Sequence, residues 1–106
     1  MDDYRLINSL TASLSISSSG TATCKGSVTP LKSSYGSSLT MTLRQKINGV
    51  WKDIKTWSKS GTGISGTTNN QTHSVSSGTY ILHLSGTVTN VGDKETGTLN
   101  SPEKSR

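Results

Sequence analysis

Phenylalanine is missing from this chain of 106 residues, cysteine occurs once, and tryptophan and proline occur twice each. The single thiol, Cys24, excludes an internal disulfide framework. No apolar stretch approaches the roughly 20 residues that a membrane-spanning helix needs, and none reads as a signal peptide. Carboxylates are few as well. Asp2, Asp3, Asp53, Asp93, Glu95 and Glu103 are scattered over termini, turns and one hairpin, so no pair is set up for acid–base work. His73 and His83 are expected on neighbouring strands across the Ser76–Gly78 turn, His73 beside Tyr80 and His83 on the outer face; with no nearby second carboxylate or Cys ligand they make a poor metal site. Cys24 sits mid-strand, where a small buried hydrophobe is the ordinary role and where nothing points to a His and carboxylate converging on it. The chain therefore reads as non-enzymatic, with no cofactor expected.

Apolar residues are scarce too. Val, Ile and Leu total 20 residues, about 19% of the chain, which borders the range of disordered sequences. Disorder also requires a large net charge, and +5 is modest. What the chain has instead is hydroxyl: 20 Ser and 16 Thr, about a third of all residues. Thr suits the solvated face of a strand, and Ser with Gly suits turns. The length allows one domain with a two-layer core.

The apolar residues follow a two-residue rhythm, the spacing of half-buried strands. Tyr80, Leu82, Leu84 and Val88 share one parity with Gly86, against Thr79, His83, Ser85 and Thr87. Leu10, Ala12, Leu14 and Ile16 alternate likewise, then Ala22, Cys24, Gly26 and Val28, then Leu39, Met41 and Leu43. Asn48-Gly49 is the strongest turn signal, because both positions accept the positive φ of a type I′ hairpin. Further strands are expected from Val50 to Ser58, from about Asn69 to Val75, and from Lys94 to Leu99. Residues 31–37 and 60–68 read as loops. The whole is an all-β, Ig-like antiparallel two-sheet sandwich of about seven strands, with no helical period and no internal repeat. Residues 1–9 form an N-terminal arm or a short first strand, 10–101 the sandwich, and 102–106 a polar tail. The expected core is Leu14, Ile16, Cys24, Leu39, Met41, Leu43, Tyr80, Leu82, Leu84 and Val88.

Val75-x-x-Gly78-x-Tyr80 resembles the tyrosine corner of immunoglobulin-like sandwiches, in which a Tyr hydroxyl bonds back to upstream backbone. Together with Ser15–Gly26 and Trp51-x-x-Ile54-x-x-Trp57, it makes the stretch from Leu10 to Val88 resemble small Ser/Thr-rich secreted proteins of Gram-positive bacteria whose role is unknown. The resemblance implies an exported, Ig-like domain and carries over no catalytic residue. Leu82 stands where a true immunoglobulin domain has its second Cys, and Met41 and Leu43 stand where a core Trp is expected. Met1-Asp2-Asp3 fits either the start of a mature exported chain or a cytoplasmic start; secretion or the cell surface is the expectation carried by the resemblance.

The candidate ligand-binding residues are Trp51, Lys55 and Trp57. Strict alternation from Val50 to Lys59 puts them on one sheet face with Asp53, the two indoles roughly 20 Å apart, as glycan-binding platforms present their rings. The alternative is a β-bulge, which flips parity and lets Trp51, Ile54 and Trp57 reach the interior or the rim. The same hairpin carries Arg44, Lys46, Lys52, Lys55 and Lys59 against Asp53. Basic residues interleaved with aromatics suit nucleic acid, but lysines guarding an edge strand are the commoner reason for that pattern. The sequence pI near 9.6 favours anionic partners. The expected function is a non-enzymatic extracellular or wall-associated module that binds a protein, a glycan or an anionic wall polymer. The alternative within that frame is a carbohydrate-binding module using Trp51 and Trp57.

Overall fold

A computed structural model describes residues 6–106. Eight strands follow in order: β1 (Ile7–Ile16), β2 (Thr21–Pro30), β3 (Gly36–Ile47), β4 (Val50–Thr62), β5 (Thr67–Ser74), β6 (Thr79–Asn90), β7 (Asp93–Asn100) and β8 (Lys104–Ser105). They form two antiparallel sheets. One has the order β1-β2-β5; the other has the order β4-β3-β6-β7, with β8 also paired to β6. This is the Ig-like sandwich. The chain crosses between sheets at β2–β3, β4–β5 and β5–β6.

Residues opposite each other in a ladder share a face, so register shows which side chains enter the core. Leu10, Leu14 and Ile16 lie opposite Val28, Cys24 and Ala22, and Leu39, Met41 and Leu43 opposite Gly86, Leu84 and Leu82. All the expected core residues are buried except Ile16, which is partly buried against the rest. Leu6, Ile7, Ala22, Val28, Tyr35 and Val75 complete the core. Gly86 is needed for close approach: a Cβ there would stand 2.5 Å from the Leu10 side chain.

The tyrosine corner is present. Tyr80, 1% exposed, donates its hydroxyl to the Ser76 carbonyl at 2.9 Å. Asn48 and Gly49 both take positive φ, 53° and 79°, closing the β3–β4 hairpin as expected. Outward faces carry the hydroxyls, many of them paired across strands: Ser9 with Thr29 at 2.6 Å, Thr40 with Ser58 at 3.2 Å, and Thr87 with Thr96 at 2.9 Å.

Strand limits depart from the sequence expectation in several places. β1 already starts at Ile7, within the expected arm; the remainder of that arm, residues 1–5, lies outside the described residues. β3 starts at Gly36 and β4 runs on to Thr62, leaving only residues 63–66 between β4 and β5. Within the expected tail, Lys104 and Ser105 pair with Tyr80 and Thr79, and the Arg106 guanidinium donates to the Val75 carbonyl at 2.6 Å. Ser and Thr suit both turns and solvated strands, so composition alone does not separate the two.

Candidate functional site

β4 is the outer strand of its sheet and holds the three candidate residues. Its ladder with β3 shifts register between Leu43 and Arg44: Leu43 faces Lys55, whereas Arg44 faces Asp53. Ile54 is the extra residue, a β-bulge. Below it, Trp51 lies opposite Lys46 and Asp53 opposite Arg44, both on the outer face. Above it, Lys55, Trp57 and Lys59 lie opposite Leu43, Met41 and Leu39, on the face that looks toward the other sheet.

The one-face platform expected from strict alternation is thus corrected: the bulge parts Trp51 from Lys55 and Trp57. The three-residue spacing does not bring both indoles inward either. Trp51 stays on the outer face, where the Lys46 ammonium stands 5.8 Å from its ring centroid and the neighbouring Arg44 Nε donates to Asp53 Oδ1 at 2.9 Å. Trp57 is half-buried and packs against the core from the rim.

Opposite Trp57, across the gap between the sheets, runs β5. Thr67, Asn69, Gln71 and His73 lie opposite Val28, Gly26, Cys24 and Ala22 of β2, which all point inward. The inward row of β5 is therefore polar from end to end. Thr67 and Asn69 are buried, while Gln71 and His73 are half-exposed. His73 meets Trp57 edge to face, with ring centroids 6.4 Å apart and planes at 75°. Gln71 Nε2 donates to Asn69 Oδ1 at 2.8 Å, and Thr67 shares a hydroxyl hydrogen bond of 2.8 Å with Ser37. Gly66 holds the short β4–β5 connection against β2: its φ is +70°, and a Cβ there would collide with the Val28 carbonyl.

The result is a seam along one long side of the sandwich. One wall is Lys55, Trp57 and Lys59, of which both lysines are exposed; the other is Asn69, Gln71 and His73. Among the described residues, no carboxylate pairs with either lysine, because the salt bridge of this hairpin belongs to Arg44 and Asp53. The same is true of hydrogen bonding: the Gln71 carbonyl oxygen, the His73 ring nitrogens and the Trp57 N–H have no partner among the described residues. Elsewhere comparable groups are engaged, His83 with Asn100 at 2.8 Å and Arg106 with Val75.

Two histidine expectations change. His73 sits against Trp57 and not beside the Tyr80 corner, and the two histidine strands are not neighbours, because β5 and β6 belong to different sheets. His83 does lie on the outer face, as expected. Cys24 is fully buried, and desolvation raises its thiol from an ordinary value near 9 to about 11. An open hollow of about 750 Å³ lies between the β2–β3 connection and the β6–β7 turn, lined by Ser34, Thr89, Val91, Asp93 and Lys94 among others. It holds no aromatic ring. No family model, curated protein or solved structure matches the chain.

The seam residues Asn69, Gln71 and His73 carry no marker in the sequence that assigns them to a site. The one available signal is parity: β5 has no apolar row on either face, which is unusual for a strand inside a sandwich.

Proposed function

We propose that this chain is a non-enzymatic binding module acting outside the cell or on its wall, and that its contact surface is the seam between β4 and β5. One observation carries the reading. A chain with few apolar residues gives the whole inward row of β5 to polar side chains and sets them opposite an indole and two lysines that pair with no carboxylate among the described residues. A buried or half-buried polar row costs stability unless it is satisfied, so a localised one is informative in a way that scattered surface polarity is not. Export follows from the resemblance to secreted Ser/Thr-rich proteins and not from the geometry.

The carbohydrate reading is favoured in a changed form. Trp57 serves it together with Lys55 and the β5 row, while Trp51 belongs to the opposite face. The test is retention of the purified protein on insoluble Gram-positive cell walls, compared with a variant carrying Trp57→Ala and Lys59→Glu. Retention of the first and release of the second supports the reading. Equal retention of both, or of neither, contradicts it.

A further inference from the structure

The ligand class is set by what the seam offers and by what it lacks. Lys55 and Lys59 give two exposed positive charges on one face of β4, roughly 13 Å apart at about 3.3 Å per residue. With Asp53 on the opposite face and bonded to Arg44, no acid offsets them within the hairpin. An anionic partner is therefore favoured, and one extended enough to meet both charges. Trp57 stands between them in sequence, its ring already in T-shaped contact with His73. A ring packed in this way offers apolar surface at little entropic cost.

The free hydrogen-bonding groups narrow the class further. The Gln71 amide keeps its carbonyl oxygen as an acceptor, while one of its two N–H donors is committed to Asn69. The His73 ring nitrogens and the Trp57 N–H also have no partner among the described residues. An acceptor beside donors suits a partner that is dotted with hydroxyls as well as charged. Single-stranded nucleic acid would use the cations and the ring as well; what favours a saccharide is the amide and imidazole beside them, which meet hydroxyls.

We infer that the β4–β5 seam binds an acidic polysaccharide: a single chain of pyranose rings carrying carboxylate or sulfate groups. The chain lies along β4 with a sugar against Trp57, anionic groups at Lys55 and Lys59, and hydroxyls on Gln71 and His73. The inference rests on the seam being the contact surface and adds the chemistry of the occupant.

The test is isothermal titration of the whole chain with four probes: a hyaluronan octasaccharide, a heparin octasaccharide, a neutral chitin hexasaccharide, and a thymidine oligonucleotide matched in charge to the heparin. Both acidic saccharides are expected to bind, with affinity falling as salt rises. Trp57→Ala is expected to weaken them roughly tenfold or more, the scale of a lost stacking contact. The paired change Lys55→Gln and Lys59→Gln is expected to remove most of the salt dependence; it lies on exposed positions and keeps the inference testable should Trp57→Ala fail to fold. Tighter binding of the oligonucleotide than of heparin overturns the inference. Equal binding of the neutral and acidic saccharides, still sensitive to Trp57→Ala, overturns it while leaving the seam as the contact surface. Binding of any probe that is indifferent to both variants overturns the inference and the seam together, as does binding of none.

Discussion

The two long sides of this sandwich are closed in opposite ways. On one side β1 packs over β6 and β7, and Leu6, Ile7, Leu10 and Leu99 fill the gap. There the Glu95 carboxylate accepts the backbone N–H groups of Leu6 and Ile7 at 2.8 and 3.0 Å, fastening β1 to the other sheet. On the other side β4 faces β5, and the gap holds an indole, an imidazole and two amides, with lysines at its mouth. Between them lies a dry centre that ends abruptly. Cys24 is fully buried, while its ladder partner Gln71 is half-exposed. The contrast teaches that the low apolar content of the chain is not spread evenly. The core is complete on one side, and what is missing is missing where a partner can reach.

Substitutions should separate the two sides. The largest expected effect is on the closed side: Ile7→Ala removes a fully buried side chain and should cost about 2–5 kcal/mol in urea unfolding. Glu95→Ala comes next, at about 2–3 kcal/mol, because two N–H groups lose a charged acceptor. The thiol marks the boundary between dry and wet. Its pKa is raised on folding, so the folded state favours the neutral form and stability is lost as pH rises from near 9 toward about 11. The loss should reach about 2 kcal/mol at the upper end and be absent from a Cys24→Ala variant measured in parallel. A slope shared by both proteins would place the cause elsewhere. The smallest effect belongs to the open side: the paired change of Lys55 and Lys59 to Gln should leave stability within about 0.5 kcal/mol. A large loss there would make the lysines structural and weaken the comparison.

Much of the sandwich is legible in the residues themselves. The rhythm of Tyr80, Leu82, Leu84 and Val88, the Asn48-Gly49 turn and the Tyr80 corner are local signals, and local signals survive folding intact. The site is a different matter. Whether Trp51 and Trp57 share a face depends on one bulged residue, Ile54, and nothing in the chain distinguishes it from its neighbours as the one to be left unpaired. Whether His73 meets Tyr80 or Trp57 depends on which sheet β5 joins. A short Gly/Ser-rich connection reads the same whether it makes a hairpin or a crossover, so only the assembled sheets decide it.

The most direct measurement uses the two indoles as separate reporters. Trp51→Phe leaves Trp57 as the sole emitter, and Trp57→Phe leaves Trp51. Each protein is titrated with the same acidic oligosaccharide while emission and its quenching by acrylamide are followed. The expected result is a saturable emission change and reduced quenching in the Trp57 reporter, with the Trp51 reporter unmoved. A response from Trp51 alone, or from neither ring, would contradict the polar seam as the working face of the molecule.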